Sequence, residues 1–184
     1  MLDLSKIDKS WTLFLDRDGV INHDMQPYTL HKNQFKFYDG VTDALKIFNN
    51  IFQHILIVTN QRGVSKKLMS EEDLINIHDF MLEEVKSTGG RIDKIYYCTA
   101  IDNDHPNRKP NPGMALQAMQ EHPLISKEHS IIVGNNISDM QFGRNAGMHT
   151  VLLTTTNVRV ELPHPLVDQQ YDSLIEFANA LKND

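Results

Sequence analysis

The chain has 184 residues, 40% of them hydrophobic, and its 24 acidic side chains against 18 basic ones give a formal net charge of −6. This length favours one domain, 1–184, with a core of its own, and the acidic balance counts against a nucleic-acid partner. A single cysteine cannot form an internal disulfide, so we expect a reducing, cytoplasmic location. No apolar run approaches the roughly 20 residues of a membrane span, and no signal-peptide core is visible, so we expect no membrane partner.

Five short apolar runs are predicted to form buried strands. They are rich in Ile, Val, Leu or aromatic residues and lack polar alternation, which is typical of a parallel sheet covered on both faces. The runs lie at 11–15, 55–58, 95–97, 131–133 and 151–153.

Stretches with helical spacing of apolar residues separate these strands. Ser70 with the carboxylates after it favours a helix start, and Gly147 favours a left-handed helix end. This alternation of strands and helices predicts a Rossmann-like, three-layer α/β sandwich with a central parallel sheet. Helices are predicted after Gly40, from Ser70 to Gly89, from Pro112, from about Ser138 to Gly147, and over 172–184.

Polar clusters follow three of the predicted strands. In open α/β sheets, ligands bind outside the carboxyl ends of strands, so these clusters indicate one crevice. Taken singly, each cluster is more typical of a turn whose side chains bond to local backbone. The clusters are Asp16-Arg17-Asp18-Gly19, Thr59-Asn60-Gln61, and Gly134-Asn135-Asn136 with Asp139.

Two further features concern charge in this crevice. Residues two apart in an extended chain face the same side, so Asp16 and Asp18 can approach one ligand while Arg17 points away. A divalent cation such as Mg²⁺ would relieve the repulsion between two carboxylates. Lys109 would by default be a solvated loop cation, but the prolines at 110 and 112 stiffen its loop and can direct the ammonium inward.

In their order along the chain, these residues resemble the four motifs of the haloacid dehalogenase (HAD) superfamily of Asp-nucleophile phosphotransferases. The segments DRDGVIN, VTNQRGV, RKPNPGM and DMQFGRNAGM are similar to the branch that contains D-glycero-D-manno-heptose 1,7-bisphosphate phosphatases and histidinol-phosphatases. The resemblance extends from about residue 11 to residue 153. It implies a HAD-like fold without a large cap domain, in which the segment 22–37, with Pro27 and Tyr28, forms a small flap.

The resemblance also implies a Mg²⁺-dependent phosphomonoester hydrolase that works through an aspartyl-phosphate. Asp16 would be the nucleophile and Asp18 the general acid and base. Thr59 and Lys109 would bind the transferring phosphoryl group. The metal ligands would be Asp16, Asp18 through its backbone carbonyl, Asn135 and Asp139, and the substrate-binding residues would be Asp24, Asn60, Gln61, Arg62 and Arg108.

The chain departs from the family pattern at positions that concern metals. The fourth motif usually begins Gly-Asp, whereas Asn135 here offers a neutral oxygen and is expected to weaken Mg²⁺ binding. The next residue, Asn136, is also not family-typical. Many relatives carry a zinc loop of Cys and His before Arg-Lys-Pro, but only Cys98 stands at the matching place. Because a structural zinc site needs four ligands, we expect no structural zinc.

The expected partner is a small phosphorylated metabolite, with the protein acting as a monomer. The resemblance favours heptose 1,7-bisphosphate 7-phosphatase activity, which serves lipopolysaccharide biosynthesis. Arg62 and Arg108 favour a second phosphate over the cationic amine of histidinol phosphate, which is the nearest alternative, beside other small sugar phosphates. An alternative of another class is a catalytically weakened binding module, suggested by Asn135.

Overall fold

The computed structural model describes residues 2–25, 28–157 and 159–182, and these form a six-stranded sheet of order β3-β2-β1-β4-β5-β6. Every neighbouring pair of strands is parallel. Five strands lie on the predicted apolar runs, whereas β6 has no apolar run to reveal it because its three residues are only partly buried. The strands are β1 (Thr12–Leu15), β2 (His54–Asn60), β3 (Lys94–Cys98), β4 (Ser130–Gly134), β5 (His149–Leu153) and β6 (Gln169–Tyr171).

The same described residues form six α-helices, and none of these is long and apolar enough to cross a membrane. Ser70 caps α3, since its hydroxyl accepts from the Asp73 N–H at 3.0 Å while the Asp73 carboxylate accepts from the Ser70 N–H at 2.9 Å. Pro112 is the N-cap of α4 rather than its first residue. The helices are α1 (Val41–Ile51), α2 (Arg62–Ser65), α3 (Glu71–Ser87), α4 (Gly113–Glu121), α5 (Ile137–Ala146) and α6 (Leu174–Ala180).

Alternate residues of the strands pack against two helical layers. On β1, Leu13 and Leu15 belong to the larger core, with apolar residues of α1, α3 and α6. Phe14 belongs to the second core, with apolar residues of α4 and α5. All three side chains are fully buried, so the sheet is covered on both faces. The prediction of a three-layer, Rossmann-like α/β fold is therefore confirmed.

The strand order brings the carboxyl ends of β1, β2 and β4 together. Leu15 pairs with Ile57 on one side and with Val133 on the other, and the Asp16 N–H donates to the Val133 carbonyl at 2.9 Å. The polar clusters predicted after these strands consequently meet at one edge of the sheet.

The segment expected to form a flap follows β1 directly. It contains a 3₁₀-helix, Lys32–Gln34, and its two ends are joined by an isolated bridge between Asn22 and Phe37. Pro27, which the flap prediction includes, lies outside the described residues, as does Gln26.

Candidate active site

A pocket of about 260 Å³ opens at the carboxyl ends of β1, β2 and β4. Larger surface cavities exist, such as one of about 520 Å³ between α1 and α6, but that cavity has no buried charged residue in its lining. The smaller pocket is lined by residues from every predicted motif: Asp16, Asp18, Asp24, Tyr28, Thr59, Asn60, Lys109, Asn136, Ser138 and Asp139.

Two carboxylates share one buried ammonium at this pocket. Lys109 Nζ lies 2.8 Å from Asp16 Oδ1 and 2.7 Å from Asp139 Oδ1. Burial opposes the charge on Lys109, but the negative charges of Asp139 and Asp16 outweigh it and raise the pKa of Lys109. Burial, followed by repulsion from Asp139, raises the pKa of Asp16 to about 7 although Lys109 opposes this. The cluster is therefore short of positive charge, which a bound cation would supply.

Three side chains hold the carboxylate of Asp18. Arg17 Nη2 donates to both of its oxygens at 2.9 Å, Asn22 Nδ2 donates at 2.9 Å, and Gln61 Nε2 donates at 2.8 Å. Burial alone would raise the pKa of Asp18, but the Arg17 charge and these hydrogen bonds outweigh it and lower the pKa. Arg17 is not a pocket residue, as strand alternation predicts. Strand alternation does not predict the contact of Arg17 with Asp18, because the chain leaves the strand and turns at Gly19, whose φ is 84°.

The residues that end β2 position their neighbours. Asn60 Nδ2 donates to the Lys109 carbonyl, and the Lys109 N–H donates to Asn60 Oδ1, both at 3.1 Å. Gln61 is 4% exposed, and its amide also donates to Thr59 Oγ1 at 2.9 Å. Asn60 thus lines the pocket and fixes the backbone of Lys109, whereas Gln61 lies behind the pocket wall and bridges Thr59 to Asp18.

The other three predicted substrate-binding residues lie in two places. Asp24 lines the pocket, and burial is the main cause that raises its pKa. Arg62 and Arg108 are not among the lining residues. Arg62 Nη2 donates to Asn103 Oδ1, and Arg108 Nη1 donates to a carbonyl of the 99–110 loop at 3.1 Å. Burial and then the charge of Arg62 lower the pKa of Arg108, so the two guanidinium groups are neighbours.

The oxygen atoms at this end of the sheet fit a hard cation such as Mg²⁺. Asn135 is 1% exposed, and its Oδ1 accepts no hydrogen bond from any described residue. Such an orphaned buried oxygen is costly unless a ligand uses it. The part of the chain that the structure describes has no group of three or more His, Cys, Asp or Glu arranged to hold a metal. The carboxylates of Asp16 and Asp139 would therefore need the amide oxygen and a backbone carbonyl to complete a ligand set.

Cys98, at the end of β3, has one histidine beside it. Its Sγ lies 3.6 Å from Nδ1 of His105, and the same nitrogen accepts from the Asn107 N–H at 3.2 Å. One thiol and one imidazole fall short of the four ligands of a structural zinc site. That this protein holds no structural zinc stays a prediction.

The structure also adds pocket residues that motif matching did not assign to the site. Ser138 lines the pocket, and its only signal in the sequence is its place between Asn135 and Asp139. Tyr28 forms another wall, and Lys66 Nζ donates to its hydroxyl at 2.8 Å. These contacts connect the flap segment to the turn after α2.

Comparisons with known proteins identify the class. A family model described as HAD-hydrolase-like matches residues 106–174. The D-glycero-alpha-D-manno-heptose-1,7-bisphosphate 7-phosphatase of Campylobacter jejuni is 37% identical, over 95% of this chain and 97% of its own. The corresponding D-glycero-beta-D-manno enzyme of Helicobacter pylori is 36% identical, over 92% of this chain and 96% of its own.

A solved structure agrees with these relatives. The crystal structure of D,D-heptose 1,7-bisphosphate phosphatase from B. bronchiseptica, complexed with magnesium and phosphate, has a TM-score of 0.86 at 26% identity. The match covers 94% of this chain and 98% of that one. Fold, pocket and relatives together define a phosphatase of the HAD type, as the motifs predicted. Within that class, the chain belongs to the family that contains the D-glycero-D-manno-heptose-1,7-bisphosphate 7-phosphatases.

Proposed function

We propose that this protein hydrolyses the 7-phosphate of D-glycero-D-manno-heptose 1,7-bisphosphate through an aspartyl-phosphate on Asp16. The observation that carries the proposal is the buried cluster of Asp16, Lys109 and Asp139 at the carboxyl end of a parallel sheet. Relatives that carry this activity in their names match more than nine-tenths of the chain, which supports the substrate.

The pocket residues have chemically distinct tasks. Asp16 attacks the phosphorus as the bond to the sugar oxygen breaks, while Lys109 and Thr59 bind the oxygens of the transferring phosphoryl group. Asp18 protonates the leaving oxygen and then takes a proton from the water that hydrolyses the aspartyl-phosphate. The lowered pKa of Asp18 keeps it ionised before substrate binds. The acid role therefore requires Asp18 to take up a proton from water as the substrate binds and displaces part of the hydrogen bonding from Arg17 and Gln61.

We propose Mg²⁺ as the cofactor, because the available ligands are all oxygen atoms. The carboxylates of Asp16 and Asp139, the amide oxygen of Asn135 and the backbone carbonyl of Asp18 would hold it. Bound there, Mg²⁺ would supply charge that offsets the repulsion between the Asp16 carboxylate and the phosphate. The B. bronchiseptica relative was crystallised with magnesium and phosphate, which supports this assignment.

We propose that residues 1–184 act as one domain and that the flap, 22–37, closes one side of the pocket through Asp24 and Tyr28. Arg62 and Arg108 are proposed to attract the phosphate that is not transferred. We further propose that the protein is a cytoplasmic monomer and that its product serves lipopolysaccharide biosynthesis.

The test is phosphate release by the purified chain in Mg²⁺ with heptose 1,7-bisphosphate of both anomers, histidinol phosphate and other sugar phosphates. The proposal expects the highest kcat/KM with a heptose bisphosphate. Asp16→Asn should abolish turnover, while Asp79→Asn, the same change at an exposed position on α3, should leave it unchanged. A higher kcat/KM with histidinol phosphate would contradict the proposed substrate. Absence of turnover with every compound would favour a binding module.

A further inference from the structure

The loop that follows β5, residues 154–157, contacts the amide of Asn135 and is here called the β5 loop. Asn135 Nδ2 donates to Thr156 Oγ1 at 2.5 Å. Asn157 Nδ2 donates to the Asn135 backbone carbonyl at 2.7 Å and to Thr156 Oγ1 at 3.2 Å. The Thr156 hydroxyl therefore accepts two hydrogen bonds, which uses both of its acceptor positions.

The turn that carries the nucleophile packs against the same amide. A Cβ on Gly19 would lie 2.2 Å from Asn135 Nδ2 and 2.8 Å from Asn135 Oδ1, so only a glycine leaves room for the side chain. The β5 loop is joined to this turn as well, because Thr155 Oγ1 donates to the Gly19 carbonyl. Asn135 is consequently enclosed between the turn after Asp16 and the β5 loop.

The orientation of this amide decides whether it can bind a cation. Rotating an amide by half a turn replaces its acceptor oxygen with an NH₂ group, which carries no lone pair for a metal. Here the Asn135 NH₂ group donates to the Thr156 hydroxyl, and Asn135 Oδ1 is left buried without a partner among the described residues. A carboxylate at this position would have two equivalent oxygens, so a half-turn rotation of its side chain would not remove the acceptor atom.

We propose that Thr156 is a positioning residue for the divalent cation: by accepting from the Asn135 NH₂ group, it keeps Oδ1 free to coordinate. This inference rests on the magnesium site of the proposed function. It explains how a neutral side chain can serve where the family pattern has Asp, and it gives the β5 loop a role in metal binding that no motif indicates.

The test measures metal binding by the full chain without substrate, from the electron paramagnetic resonance signal of free Mn²⁺ used in place of Mg²⁺. Thr156→Val should weaken Mn²⁺ binding about tenfold, the scale on which partners of metal ligands act. Thr156→Ser keeps the hydroxyl and should bind like wild type. Thr154→Val is the matched control, because the Thr154 hydroxyl donates to Asp172 at 2.6 Å instead, and it should leave the affinity unchanged.

A double-mutant cycle separates orientation from loop packing. With Asn135→Asp, either carboxylate oxygen can bind the metal, so adding Thr156→Val should change the affinity less than about twofold. An equal loss in both backgrounds, or no loss with Asn135 present, would overturn the inference. So would a wild-type chain that binds no Mn²⁺ at millimolar concentration.

Thermal melting checks folding, and if Thr156→Val does not fold, Thr156→Ala is compared with Thr156→Ser by the same criteria. The proposed activity is tested separately, by phosphate release from the phosphorylated compounds named above.

Discussion

Arg17 connects the proposed acid and base, Asp18, to the helix α3. Its Nη2 donates to both Asp18 oxygens at 2.9 Å, and its Nη1 lies 3.2 Å from Nε2 of His78. Arg17 is 1% exposed, so these neighbours, in place of water, stabilise its charge. Burial and then the Arg17 charge lower the pKa of His78 to about 3, which leaves a neutral imidazole able to accept from Arg17.

Replacing Arg17 with Met should destabilise the protein. The change keeps an unbranched side chain but leaves Asp18 without its charged partner, and breaking a buried ion pair typically costs about 3–5 kcal/mol. Because the Asp18 side chain is 25% exposed, we expect a smaller loss of about 2–3 kcal/mol in the free energy of unfolding, measured with urea. Arg159→Met, at an exposed pair with Asp172, should change the free energy of unfolding much less, because water screens that pair. Equal losses would contradict the role assigned to burial.

The low pKa of His78 predicts acid sensitivity. The unfolded chain takes up this proton below about pH 6.5, whereas the folded state resists it until about pH 3, so the contribution of His78 to stability falls as pH decreases through this window. His78→Gln should remove up to about 3 kcal/mol of the loss between pH 7 and pH 4, measured by urea unfolding. The control is Asn76→Gln, a neutral exchange at an exposed position of α3, which should keep the wild-type slope. An unchanged slope in His78→Gln would refute this explanation.

Much of the fold and of the pocket could be predicted because both depend on local patterns. Apolar runs mark the buried strands, and polar residues mark their carboxyl ends, which is where Asp16 and Thr59 lie. The strand β6 has no apolar run, so its sequence could not reveal it. The contact of Arg17 with Asp18 depends on a turn at one glycine, and that of Thr156 with Asn135 on an irregular loop. Neither turn nor loop has a periodicity from which a contact could be predicted.

Asn60 should act on turnover through Lys109. In Asn60→Asp, a carboxylate would face the Lys109 carbonyl in place of the donating NH₂ group, and the resulting shift of Lys109 should lower kcat about 10- to 100-fold. We expect KM for the heptose bisphosphate to change less, because the proposed role of Lys109 is to bind mainly the transferring group. Asn50→Asp is the matched control, since Asn50 also donates to a lysine carbonyl, that of Lys46, on the surface of α1. Wild-type kcat in Asn60→Asp would show that this contact does not position Lys109.

Asp16→Asn should stabilise the protein at alkaline pH while abolishing turnover. Burial and repulsion from Asp139 raise the pKa of Asp16 to about 7, above its usual 3.8, so the folded state binds this proton more tightly than the unfolded chain. The contribution of Asp16 to the wild-type free energy of unfolding should therefore fall as pH rises from about 4 to about 7, a loss that a neutral amide avoids.

Melting temperatures in the presence of a chelator test this prediction. Asp16→Asn should melt above wild type near pH 8 and close to it near pH 4, while Asp79→Asn should follow wild type at both. Mg²⁺, the proposed cofactor, should reduce the difference near pH 8, because its binding to the folded wild type would favour the ionised carboxylate. An Asp16→Asn variant that melts below wild type near pH 8 would mean that the attraction of Lys109 exceeds the cost of burying the Asp16 charge.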